Sequence, residues 1–122
     1  MKNNRKRKIV FVLGYLAAGG TERVMSLLAN SFVDKGYLIS FIYLKKEKDF
    51  YSLDERIGKY YVEGPKKSGN FVAGFFNTVR RIKKIKSLLE QIKPDVVLSF
   101  LPETNVLSIL ACQKGNFPVV IS

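Results

Sequence analysis

An open, doubly wound α/β domain, Rossmann-like with a parallel sheet and helices on both faces, is the fold class this sequence predicts. Three observations predict it. Apolar β-type runs alternate with segments of helical period along the 122 residues. The first run, Ile9 to Leu13, breaks into a loop bounded by Gly14 and Gly19-Gly20-Thr21 and then opens a helix. A later run, Asp95-Val96-Val97-Leu98-Ser99-Phe100, is apolar enough to be buried on both faces, as a central parallel strand is.

The elements follow in order. A basic tail, residues 1–8, precedes the domain, residues 9–122. After the first strand, Val24, Leu27, Leu28 and Phe32 recur at helical spacing, and Lys35-Gly36 ends that helix. Tyr37 to Leu44 is β-branched and aromatic, a second strand. Lys45 to Glu55 is polar and aperiodic, a loop. Arg56 to Val62 is a weaker third strand, and Gly64-Pro65 and Ser68-Gly69 mark a break. A long helix over 70–92 turns Phe71, Phe75, Val79, Ile82, Ile85, Leu89 and Ile92 to the sheet, and Lys93-Pro94 stops it. The fourth strand comes next, then a helix from Pro102 to Lys114 and a fifth strand from Pro118 to Ile121. In such sheets ligands sit at the carboxyl ends of the strands, where the strand order reverses. The loop Gly14 to Thr21 and the turn Phe100 to Asn105 are therefore expected to face each other across one crevice.

Composition narrows the chemistry. The single cysteine, Cys112, cannot form an internal disulfide and lies in an apolar helical stretch, so it reads as a small core residue. There is no histidine, which removes histidine general bases and most zinc sites. No acidic cluster has ligand-like spacing, so no metal is expected. No apolar run approaches the roughly 20 residues that span a bilayer. The net charge of +11 fits nucleic acid, an anionic membrane surface or a phosphorylated substrate, and charge alone does not choose among them.

The glycine loop has the form of a phosphate seat. Missing Cβ atoms let the backbone approach a ligand, and the first N–H groups of the helix face an anion. It is neither G-x-G-x-x-G nor a P-loop, because Gly20 stands where a P-loop has its lysine. The competing reading is a plain strand-to-helix turn. Glu22 suits the helix dipole, and Arg23 either pairs locally or reaches an anion in the loop. On the long helix, Arg80, Arg81, Lys83, Lys84 and Lys86 follow an aromatic entry of Phe71, Phe75 and Phe76. That pattern suits an anionic lipid interface or a substrate diphosphate, or else is the solvated face of a sheet-covering helix. In the turn after the fourth strand, Glu103 is the one candidate to orient or deprotonate a sugar hydroxyl and Asn105 to hydrogen-bond one. Thr104 reads as a helix cap.

These residues resemble a known family. Gly19-Gly20-Thr21-Glu22-Arg23-Val24-Met25 with Leu28-Ala29 is similar to the G-G-[AT]-E-R-V-x-x-x-L-A signature of family 4 retaining glycosyltransferases of GT-B fold. Lys93-Pro94-Asp95-Val96-Val97-Leu98-Ser99-Phe100-Leu101 is similar to that group's KPDVV(I/L)SF(L) strand, and Asn105 and Pro118 to Ser122 also fit. The resemblance implies an acceptor-side domain. Gly19, Gly20, Thr21 and Arg23 would approach the donor diphosphate or sugar, while Glu22, Phe100, Thr104 and Asn105 would line the acceptor crevice. The basic helix would face acceptor phosphates and the inner face of the cell membrane. The co-substrate would be a nucleotide diphosphate sugar, the acceptor a glycan, polyprenyl-diphosphate-linked, and no tightly bound cofactor is implied. Some members carry a histidine where this chain has Phe100. The E-x7-E region that holds the donor has no counterpart here, which implies a C-terminal partner domain and no turnover without it. The alternative is a self-contained basic module for anionic lipid or nucleic acid. Against nucleic acid stands the lack of any base-reading or stacking motif.

Overall fold

The computed structural model describes residues 6–62, 71–100, 102–115 and 117–121; the side chains of 71–75, 102, 103, 106 and 114 lie outside the described part. The element order is β1 (Lys8–Leu13), α1 (Gly20–Asp34), β2 (Leu38–Tyr43), β3 (Gly58–Tyr61), α2 (Phe71–Ile92), β4 (Val96–Ser99), α3 (Pro102–Gly115) and β5 (Val119–Ile121). All five strands are parallel, in the order β3-β2-β1-β4-β5. The order reverses beside β1, whose neighbours are β2 and β4. The predicted crevice therefore lies above the carboxyl ends of β1 and β4.

Side chains alternate across the sheet and sort the helices into two layers. Val10, Val12, Ile42 and Val97 pack with Ile82, Ile85, Leu88 and Leu89 of α2 and with Leu107, Ala111 and Cys112 of α3. Phe11, Leu13, Phe41 and Tyr43 pack with Met25, Ala29 and Val33 of α1. Each large apolar side chain so buried contributes roughly 1.5–3 kcal/mol. Phe11 and Phe41 stack with ring centroids 5.0 Å apart, across the register pair that joins β1 to β2. Cys112 is buried in the core as expected, and burial pushes its thiol up to about 11.

Three expectations need correction. The buried face of α1 is Met25, Ser26, Ala29 and Val33, rotated by about one residue from the predicted stripe. Val24 and Leu27 are 50% and 60% exposed. That face packs Met25, Ala29 and Val33 against Phe11, Leu13 and Phe41 of the sheet. Lys8 belongs to β1 and not to the tail. Its N–H donates to Asp95 Oδ2 at 2.8 Å and its Nζ donates to the Ile92 carbonyl at 3.2 Å, tying the sheet to the end of α2. Finally, β4 is fully covered on one face only. Val97 and Ser99 are buried under α2 and α3, whereas Val96 and Leu98, on the α1 side, are half-buried. Among the described elements α1 alone covers that face, and its core residues sit over β1 and β2.

Candidate functional site

Leu13 ends β1 deep in the core, and the chain then leaves the sheet through Gly14. Leu16 turns back and is fully buried against the α1 layer, which anchors the middle of the loop. Ala17 N–H donates to the Tyr15 carbonyl at 3.0 Å, a tight local turn. Gly19 is the residue before α1, in extended conformation, and its carbonyl accepts the Arg23 N–H at 3.0 Å.

The glycines have different reasons. A Cβ on Gly19 would fall 2.6 Å from Glu22 Oε2, so the Glu22 carboxylate folds back into the space that this glycine leaves. There it faces the positive end of the helix, as an acidic residue in the first turn does. A Cβ on Gly20 would meet nothing within 4 Å, and the same is true of Gly14. Neither has the positive φ that demands glycine; among the described glycines only Gly36, at the end of α1, has it, at 94°. Nothing in the packing of the domain therefore requires Gly20 to be a glycine. Its bare backbone faces open space at the crevice.

Across the crevice, Phe100 is half-buried against the α1 layer. Thr104 lies inside the first turn of α3 with its side chain buried, past the cap position, so it does not cap the helix. Asn105 is half-buried beside it. The hydroxyls of Ser99, at the end of β4, and Ser108, on α3, are buried without a partner among the described residues. The side chain of Glu103 lies outside the described residues.

The cations of α2 separate into groups that the linear sequence did not distinguish. Arg80, Arg81 and Lys84 line a cavity of about 490 Å³ against the β3 edge, with Lys59 and Tyr60 across from them. Arg81 Nε is buried there with no partner among the described residues, whereas Lys59 pairs with Asp49 at 2.6 Å. Lys83 is exposed on the outer face, with the 61% exposed Phe76 two turns before it. Lys86 lies within 3.7 Å of Glu90 one turn on. The side chains of Phe71 and Phe75 lie outside the described residues.

The domain thus has an open backbone donor where the strand order reverses and a basic cavity at its β3 edge. Comparison with known proteins names the family. A model of the family described as glycosyl transferase 4-like matches residues 13–122. The chain belongs to that family. A Campylobacter jejuni relative, "GalNAc-alpha-(1->4)-GalNAc-alpha-(1->3)-diNAcBac-PP-undecaprenol alpha-1,4-N-acetyl-D-galactosaminyltransferase", is 30% identical over 94% of this chain and 32% of its own length. Among solved structures, sucrose-phosphate synthase from Thermosynechococcus elongatus superposes with a TM-score of 0.73 at 12% identity, over 95% of this chain and 32% of that one. MurG from Acinetobacter baumannii superposes at 0.70 and 19%, over 96% and 34%. At these identities the structural likeness shows the fold, the Rossmann-like fold of GT-B glycosyltransferases. The chain spans about a third of the length of these relatives.

One part of the site was missed from the sequence. The segment between β2 and β3 wraps against α1 and holds the glycine loop, through Phe50, Tyr51, Asn30 and the carboxylates around Arg56. Two adjacent aromatics, Phe50-Tyr51, in an otherwise polar loop were the available signal. Asp54 is fixed there by the Arg56 side chain and backbone N–H, which together hold its carboxyl down at about 2. A lowered folded-state value stabilises the fold above the unfolded value of 3.8, and that contribution is lost as pH falls toward 2. Carboxyl-detected NMR should therefore find Asp54 titrating near 2, and Arg56→Ala, which removes the side-chain bonds and keeps the backbone N–H, should raise it part of the way toward the ordinary carboxylate value.

Proposed function

We propose that this transferase domain is the acceptor-side half of an enzyme that moves a sugar from a nucleotide diphosphate sugar to a glycan on a polyprenyl diphosphate. It would work in assembly of cell-surface glycans, peripherally at the cytoplasmic face of the membrane. The observation that carries this reading is the Campylobacter relative, matched over nearly the whole chain and named for a PP-undecaprenol acceptor. The basic cavity supports it, since the Arg81 guanidinium, with its Nε buried among cations, would donate charge-assisted hydrogen bonds to an anionic phosphate.

In this reading Gly20 N–H, with Gly19 and Thr21 beside it, meets the donor diphosphate or the transferred sugar, and Arg23 supplies a nearby cation. Glu22, Phe100, Thr104 and Asn105 border the acceptor, and Glu103 is the candidate to orient its hydroxyl. Arg80, Arg81 and Lys84 take acceptor phosphate, and the outer face of α2 meets anionic lipid. No metal or tightly bound cofactor takes part. Among the described residues, Cys112 and Tyr43 supply no nucleophile: burial holds Cys112 as the thiol, and burial with the Asp49 carboxylate holds Tyr43 as the phenol. Donor binding and turnover depend on a second domain.

The test is transfer by the enzyme that carries this domain. It is incubated with labelled UDP-N-acetylhexosamines and UDP-hexoses and a polyprenyl-diphosphate-linked glycan. Label extracted with the lipid fraction is expected. Label that enters only water-soluble acceptors would overturn the lipid-linked reading.

A further inference from the structure

The strap between β2 and β3 has no regular structure, yet it is tied down along its length. Lys45 N–H donates to the Gly14 carbonyl at 2.9 Å, and Phe50 N–H donates to the Leu16 carbonyl at 2.8 Å. Tyr51 Oη then donates to the Gly19 carbonyl at 3.2 Å. Past that point Asn30, on α1, holds the strap from both sides of its amide. Its Nδ2 donates to the Ser52 carbonyl at 3.1 Å, and its Oδ1 accepts the Asp54 N–H at 2.8 Å. Arg56 closes the strap by bridging Asp54 and Asp34. The Tyr51 ring is itself held, packed edge-on to Phe50 with centroids 5.0 Å apart.

The carbonyl that Tyr51 reaches has a particular partner atom. Gly19 O and Gly20 N–H belong to one peptide unit, which is planar and trans, so the two groups point in opposite directions. Two donors converge on Gly19 O. One is the Arg23 N–H from within the helix, and the other is a phenol 32 residues away in sequence. Together they fix the rotation of the peptide, and with it the direction of the Gly20 N–H. That direction leads away from the strap, at a residue where an added Cβ would meet nothing.

We propose that Tyr51 is a positioning residue: its hydroxyl sets the Gly19–Gly20 peptide so that the Gly20 N–H is aimed at a diphosphate before the diphosphate arrives. This rests on the reading of the glycine loop as a phosphate seat. A bare diglycine step has more backbone freedom than any other, and a donor that must first be oriented loses much of its binding energy to that ordering. Tyr51 removes the freedom in advance, and Asn30 keeps the strap that carries Tyr51 against α1. The arrangement combines two needs that one residue could not meet. The peptide stays bare toward the ligand, and its rigidity comes from behind.

The experiment is a titration of the ¹⁵N-labelled transferase that carries this domain, second domain included, with inorganic pyrophosphate, reading the Gly20 and Thr21 amides. In the native protein both are expected to shift saturably. Tyr51→Phe keeps the ring and removes only the hydroxyl, and should weaken binding read at Gly20 by about three- to tenfold, the worth of one hydrogen bond. Binding read at the Arg80, Arg81 and Lys84 side chains should stay unchanged. A tyrosine that merely packs would lower the melting temperature and leave the affinity at Gly20 as it was, and that result overturns the proposal. Should Tyr51→Phe not fold, Asn30→Ala gives the same reading one step back. A weaker affinity at Gly20 supports the proposal, and native affinity overturns it. If the native Gly20 amide does not respond at all, the phosphate seat itself fails and the role of Tyr51 falls with it. A response in the native protein that Tyr51→Phe leaves untouched removes only the positioning role.

Discussion

Gly20→Val, placed in the transferase that carries this domain, should reduce sugar transfer by about a hundred- to a thousandfold, the range for loss of one backbone donor at developing charge. The domain should stay folded. Gly20 begins α1, lacks a positive φ, and an added Cβ there meets no atom within 4 Å. Helix propensity does not oppose the change, since valine is at most about 0.7 kcal/mol worse than alanine where glycine is about 1 kcal/mol worse. The added methyls would instead fill the open side of the Gly20 N–H, where the diphosphate is proposed to sit. Gly20→Ala separates the two effects, because alanine favours the helix yet adds one methyl to the seat. It should melt slightly higher than the native protein and transfer more slowly. The measurements are kcat/KM and a thermal melt on the same samples. Native activity in Gly20→Val would mean that the loop only turns the chain from strand to helix.

The second large effect is expected at the membrane. Reversing Arg80, Lys83 and Lys84 to glutamate should release the protein from vesicles containing anionic lipid. Each Lys or Arg near such a surface is worth about 1 kcal/mol, so three of them account for roughly a hundredfold in partitioning. Arg81 is left out of this set because its Nε is buried in the cavity, where a carboxylate would disturb the fold as well as the charge. The exposed Phe76, on the same outer face as Lys83, adds an apolar contact that salt does not screen. Flotation at rising salt should therefore show a steep loss for the native protein and little dependence for the triple variant. Unchanged flotation of the triple variant would mean that these cations do not hold the protein to a lipid surface. Salt-dependent binding to DNA with none to vesicles would favour the basic-module alternative instead.

The strand and helix order, the parallel sheet and the reversal of strand order beside β1 were legible in the residues. Period-2 and period-3.6 patterns are local signals, and the rules of open α/β sheets convert their order into topology. The face of α1 was not legible. Val24, Leu27 and Leu28 keep helical spacing as well as Met25, Ala29 and Val33 do, and a helix apolar over so wide an arc does not declare which side packs. Packing against Phe11, Leu13 and Phe41 of the sheet took the side with Met25, Ala29 and Val33. The cations of α2 read as one cluster in sequence. Only the position of β3 divides them into cavity and outer surface.

The sequence by itself determined the family, the fold and the location of a glycine-rich helix start, since each depends on neighbours along the chain. The tertiary structure decided what holds that start in place. Tyr51 lies 32 residues from Gly19, in a segment with no period, and nothing local marks a hydroxyl that will meet a distant carbonyl. Hydrogen bonds of that kind follow from how the crossover returns across the sheet, and only the packed chain fixes that return.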